Sequence, residues 1–257
     1  MLSGTGASSS LRIMGRVDDA LLTLRGMPLG TERALQLAGL ISTLFKINGV
    51  GLVTTGQLAF HGYADTRFDQ PEIAFAPLTG SLPPRTVLEV MRGQIHAKGS
   101  IYEWHVGRIP VRFHDSANIA HRELCRDFTT HHGVVKLVPV EEITADYILA
   151  SVYPSHDAGA YVRAHRLLFN GLSETFEMNW PVLSTLCHRP EYRVGEELAQ
   201  MRLEAKKDVD AQGKGPDHIG DTGQMPTIRK AHDGGEEVPS SLRSKAEKAA
   251  SDDPYPG

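Results

Sequence analysis

Between Thr31 and Pro77 the hydrophobic period of the chain switches from helical to strand-like, back to helical and again to strand-like. Ala34, Leu37, Ala38, Ile41, Leu44 and Phe45 recur at i, i+3, i+4 and put one buried stripe on a helix over Thr31–Ile47. Thr31 can cap its start, Glu32 suits the positive end of the helix dipole, and Asn48-Gly49 stops it. Val50 to Val53 then reads as a short buried strand, broken at once by Thr54-Thr55-Gly56. Gln57 to His61 follows as a short helix closed by Gly62, and Glu72 to Ala76 as a second strand between Pro71 and Pro77.

The rest of the chain continues the alternation and then turns helical. Pro83 to Arg92 reads as an amphipathic helix with proline in its first turn, where a missing N–H costs nothing. Ile101–Val106 and Ile109–Phe113 flank Gly107-Arg108 as a hairpin. Ala117 to Phe128 is expected to be helical, and Val134 to Val138 to be a strand. Four helices close the fold, over 141–153, 156–170, 177–187 and 195–205. About five short strands with interposed helices make an α+β layout.

Composition sets the outer limits. The chain has 257 residues and a formal charge of -4, from 27 Lys+Arg and 31 Asp+Glu. From Lys206 onward Gly, Pro, Ser and charged residues dominate and Tyr255 is the one aromatic. Such a segment cannot bury enough apolar area to offset its ordering entropy, so 206–257 is expected to be a disordered tail. Residues 1–15 are expected to be a flexible N-terminus, leaving 16–205 as the folded domain. Two cysteines, Cys125 and Cys187, are too few for a disulfide framework and point to a reducing cytoplasm. No apolar run nears the ~18 residues of a membrane span. Met1–Ser10 lacks the basic-then-apolar order of a signal peptide.

The Thr54-Thr55-Gly56 turn carries the most chemistry. A strand that runs into such a turn and then a helix presents free backbone N–H groups suited to phosphate; the alternative is a plain strand-to-helix turn with threonine caps. The stretch from Glu32 through Pro77, with Gly49-Val50, Leu52-Val53, Thr54-Thr55 and His61-Gly62, resembles the opening of the polymerase-beta-type nucleotidyltransferase superfamily. Leu137 to Ile143 and His156 to Phe169, with its early Asp157, resemble that family's later segments, so the likeness covers roughly 31–170. It implies a small mixed sheet flanked by helices, with a helical C-terminal part.

In that family two carboxylates two residues apart and a third from a later strand hold two magnesium ions against a triphosphate. This chain departs from that pattern. Counting from Gly62 the pair falls on Asp69 and Pro71; counting on the strand it falls on Glu72 and Ala74. Arg112 stands where the third acid is expected, with Asp115 just beyond. The usual small residues are Thr54-Thr55, whose Cβ atoms would crowd a triphosphate. The resemblance with these departures implies a protein that keeps the fold, has a compromised metal site, and binds nucleotide, RNA or a protein partner. Any surviving activity would be nucleotidyl transfer with magnesium. Thr54, Thr55 and Gly56 would then cradle phosphate, Arg67 would neutralise it, and Asp69 and Glu72 are the metal-ligand candidates, expected within about 6 Å of each other.

A second resemblance lies over the same residues. Leu58 to Asp65, followed by Pro71 to Ala76, is similar to a stretch of the type IV abortive-infection antitoxins. It implies a non-enzymatic regulator that pairs with a toxin and opens with a winged helix-turn-helix, which residues 11–50 do not spell out. Both resemblances point to toxin–antitoxin or phage-defence roles.

Other groupings are less specific. His121 and Cys125 would sit one turn apart on a helix near His131-His132, but zinc needs four converging ligands and no C-x-x-C or H-E-x-x-H is present. Cys125 reads as a buried, inert thiol. Arg163, His165 and Arg166, with Arg122 and Arg126, could form a basic face for RNA or nucleotide; the plain alternative is a solvated helix face.

Overall fold

The structure, a computed structural model, describes residues 5–64, 66, 70–116 and 119–213. It is α+β: eight α-helices among the described residues and one mixed seven-stranded sheet. The helices are α1 (Thr5–Gly26), α2 (Thr31–Ile47), α3 (Gly56–Ala64), α4 (Pro84–Leu88), α5 (Val140–Val152), α6 (Ala158–Leu172), α7 (Trp180–His188) and α8 (Gly195–Gly213). The strands are β1 (Leu52–Thr55), β2 (Ile73–Pro77), β3 (Lys98–Gly99), β4 (Glu103–Val106), β5 (Ile109–Phe113), β6 (Arg126–Thr130) and β7 (Gly133–Leu137).

The sheet runs in the order β3-β4-β5-β2-β1-β7-β6. β1 and β2 are antiparallel at its centre, and each gains a parallel neighbour, β7 beside β1 and β5 beside β2. The apolar stripe of α2 buries Leu37, Ile41, Leu44 and Phe45. Phe45 meets Phe113 at 5.2 Å between ring centroids, and Phe113 stacks on Phe75 at 5.7 Å. That trio ties α2 to adjacent central strands. Each ring buries on the order of 150–250 Å², which makes the contact a principal source of stability.

Several expectations hold and others need correcting. The helix over Thr31–Ile47 and the Gly107-Arg108 hairpin form where the pattern put them. The helix expected over 117–128 does not form across its described residues 119–128: a short 3-10 turn at Arg122–Leu124 leads into β6, which pairs antiparallel with β7. The expected flexible N-terminus is helical from Thr5, and the expected tail is helical over 206–213, because α8 runs eight residues past Ala205. Residues 214–257 lie outside the described residues. In α1, Val17, Ala20, Leu21 and Leu24 form a buried i, i+3, i+4, i+7 stripe that earns the helix its place. Between Thr5 and β1 the chain makes two helices and no strand, so no wing accompanies them. No described helix is long and apolar enough to cross a membrane.

Candidate functional site

Strand register decides which side chains can meet. Thr55 pairs with Ala74 across the antiparallel β1–β2 ladder, Ala74 with Arg112 across β2–β5, and Arg112 with Glu103 across β4–β5. Paired residues share a face of the sheet, and neighbouring strands lie about 4.8 Å apart. One face therefore carries Thr55, Ala74, Arg112 and Glu103 in a row, with Glu72 two residues before Ala74 on the same side.

The carboxylate of Glu72 is taken by Arg112: Oε1 lies 2.9 Å from Nη1. Glu103 approaches the same guanidinium at 3.7 Å. Two acids thus flank one arginine, and Ala74 offers no donor. Both partners of the closer pair are partly exposed, so the interaction contributes about 0–1 kcal/mol to stability. Its chemical effect is larger than its energetic one: the acid on this strand already has a cation. Asp115 lies outside the pair, and its backbone carbonyl accepts from the Leu82 N–H at 3.0 Å.

The Thr54-Thr55-Gly56 turn does open a helix, since α3 begins at Gly56. Gly56 has φ +63°, a left-handed conformation that favours glycine, and a Cβ there would sit 3.8 Å from the Ala74 methyl. The two threonines differ in role. Thr54 is fully buried, pairs in register with Phe75, and its hydroxyl has no hydrogen-bond partner among the described residues. An unmade bond of that kind costs about 1–3 kcal/mol. Thr54 therefore offers this face no side chain, and its carbonyl accepts from the Val138 N–H at 3.0 Å. Thr55 is partly exposed on the face that carries Arg112. Arg67 and Asp69 lie outside the described residues.

The magnesium implied by the family resemblance can be tested against these donors. Hard divalent cations need several oxygen ligands. The described part of the face supplies two carboxylates, Glu72 and Glu103, and both lie against the Arg112 guanidinium. No group of three His, Cys, Asp or Glu side chains among the described residues could hold a metal ion. The described residues do not fit a two-metal centre.

A half-buried polar cluster lies at the other end of α3. His61 Nδ1 contacts the Thr66 hydroxyl. Burial, and then the charge of Arg163, hold the His61 imidazole down to a pKa of about 4. Arg163 pairs with Asp157 at 3.2 Å and lies 4.9 Å over the Tyr147 ring. Asp157 also caps α6 by accepting from Gly159 N–H at 2.8 Å. The cluster closes on itself as a brace between α3, α5 and α6.

The basic face expected from the arginines is divided. Arg163 is committed to Asp157, while His165 faces Asp208 at 3.3 Å. Arg122 lies in the 3-10 turn and Arg126 opens β6, so the helix face joining them does not exist. Arg126 instead stacks on Tyr63 and Phe176, an arrangement no sequence signal announced: Phe176 lies in a non-periodic connection fifty residues away.

Two buried acids open α5. Glu142 accepts from His121 N–H at 2.9 Å, and burial raises its pKa. Glu141 accepts from Asn179 N–H at 2.7 Å. Both favour the positive helix end and pin distant loops to it. No family model matches the chain, and no curated protein or solved structure is similar to it.

Proposed function

We propose that this chain is a nucleotidyltransferase-fold protein whose metal-holding acids have given way to an ion pair. In this reading it binds the phosphates of a nucleotide or of RNA and does not catalyse efficient nucleotidyl transfer. The observation that carries the reading is the Glu72–Arg112 contact of 2.9 Å on the face shared with Thr55 and Ala74. A carboxylate bound to a guanidinium has little left for a divalent cation, whereas a guanidinium can exchange a carboxylate for a phosphate at small cost. The start of α3 beside Thr55 adds backbone N–H groups of the kind that favour anions. The antiparallel β1–β2 pair, the helix between them and the parallel β5 agree with the sheet that the resemblance implies.

The test is a binding screen of the four nucleoside triphosphates against the full-length chain, with magnesium and with EDTA, beside an assay for transfer of labelled nucleotide to RNA. Binding that survives EDTA without transfer is the expected result. Magnesium-dependent transfer that is lost in Glu72→Gln would overturn the reading, as would failure to bind any triphosphate or RNA in either condition.

A further inference from the structure

Gly62 and Tyr63, in the last turn of α3, form one wall of a separate cleft of about 340 Å³. By the 1.5 Å rise per residue, Gly62 lies about 9 Å along the helix from Gly56. The remaining lining comes from Arg126, Asp127 and Phe128 of β6, Leu137 of β7, and Thr175 and Phe176. Ligand pockets measure about 300–1,000 Å³, so this one has room for a single small ligand and none for a duplex.

Its central feature is the Arg126 guanidinium. The group lies 5.5 Å from the Tyr63 ring centroid and 5.6 Å from that of Phe176, and the two rings meet edge to face at 5.7 Å. The Glu177 carbonyl accepts one of its N–H groups. The Tyr63 hydroxyl donates to the Val138 carbonyl at 2.8 Å, which fixes the ring below it. No carboxylate of the described residues pairs with Arg126; Asp127, next in sequence, pairs with Lys136. A planar cation with several donors is therefore held in place, half-buried and without a counter-ion. Beside it Phe128 remains 36% exposed on the terminal strand of the sheet. Burying an unpaired charge is costly, so an anion entering here gains more than it would at an open surface. The adjoining rings reward a flat ligand as well.

We infer that this cleft binds one nucleobase-bearing phosphate, with the base against Phe128, Leu137 and the Arg126–Phe176 stack and the phosphate on the guanidinium. The base could belong to a free nucleotide or to an unpaired residue of RNA; the chemistry is shared. The inference rests on the reading that the chain binds nucleotide or RNA, and it assigns a second place, distinct from the Thr55–Gly56 turn.

Calorimetric titration of the full chain with AMP and with a short single-stranded oligoadenylate tests it, with inorganic triphosphate as competitor. Removing a stacking partner costs about 1–3 kcal/mol per base, so Phe128→Ala should weaken AMP binding about tenfold. Arg126→Ala should weaken it at least as much, and Arg126→Lys, which keeps the charge and loses the plane, should fall between. Phe128 is exposed, so its variant keeps the test open if Arg126→Ala fails to fold. Binding of AMP identifies free nucleotide as a ligand, and binding of the oligomer alone identifies RNA; either supports the inference if Phe128 and Arg126 control it. Unchanged affinity in Phe128→Ala, or no binding of either probe, overturns it. Full displacement by inorganic triphosphate that is unchanged in Arg126→Ala also overturns it, because it moves the ligand to the α3 start and leaves only the first reading standing. Conversely, a triphosphate that does not bind while AMP binding depends on Arg126 sinks the first reading alone.

Discussion

Glu72 and Arg112 are forty residues apart in sequence, yet their side chains meet at 2.9 Å because β2 and β5 run parallel and in register. The pair is partly exposed on its sheet face, and Glu103 approaches the same guanidinium from the other neighbouring strand. Removing the arginine should therefore change ligand preference far more than stability.

Arg112→Asp puts a third carboxylate on that face, between those of Glu72 and Glu103, which is closer to what a hard cation requires. The variant is expected to bind Mn²⁺ detectably by paramagnetic resonance under conditions where the wild type does not. Arg112→Ala, by contrast, should change unfolding free energy by less than about 1 kcal/mol, since the pair it removes is partly exposed. Equal Mn²⁺ signals from wild type and Arg112→Asp would show that the arginine is not what keeps cations away.

Gly39 of α2 lies directly against the β6–β7 turn. A Cβ there would overlap the Thr130 hydroxyl and come within 3.2 Å of the Gly133 carbonyl. Thr130 cannot swing aside freely, because its hydroxyl donates to that same carbonyl at 2.7 Å. Gly39→Ala should therefore destabilise the protein by about 1–3 kcal/mol, the usual cost of overpacking. The double variant Gly39→Ala/Thr130→Ala should recover part of the loss. Chemical denaturation of the three proteins reads the coupling directly, and strict additivity would rule out the clash.

Much of this fold was legible because its stripes are local. The α2 periodicity, the Gly107-Arg108 turn and the prolines around β2 each fix an element from neighbouring residues alone. α1 is less legible because its start is Gly/Ser-rich, and only Val17, Ala20, Leu21 and Leu24 carry its stripe. β6 lacks a strand signal for a different reason. It is an edge strand that exposes Asp127, Phe128 and Thr129 in succession, so it shows no alternation, and its turn, His131-His132, lacks the usual Gly or Asn signal. At the site, the Thr55-Gly56 turn and Glu72 could be picked out from sequence. That Arg112 would neutralise Glu72 could not, because the register of a parallel pair joined by a long crossover is set by packing. The same limit hid the Arg126–Tyr63–Phe176 stack.

The two cysteines should react differently from ordinary thiols. Cys187 is fully buried, and burial pushes its pKa up to about 12; Cys125 is half-buried and is raised to about 11. At pH 8 almost none of either is thiolate, which is the reactive form. A disulfide reagent at that pH should label the native protein slowly, Cys125 before Cys187, and label both promptly in denaturant. Prompt native labelling of Cys125 would instead mark an activated thiol.

His61 supplies the clearest pH dependence. Its imidazole is lowered from an ordinary 6.5 to about 4 by burial and by Arg163, so the folded protein holds the ring neutral. Between those two values the unfolded chain binds a proton that the folded chain does not. Stability from this group is thus fully present above about pH 6.5 and is lost as pH falls toward 4. The ring is only half-buried, which limits the size of the effect. Melting temperatures measured from pH 7 to pH 4 should fall for the wild type and fall less steeply for His61→Gln, whose amide cannot take up the proton. Parallel curves for the two proteins would place the acid sensitivity in other groups. Glu142 and Asp146 are not among those, because burial raises both, so their contribution declines as pH rises and opposes the His61 slope.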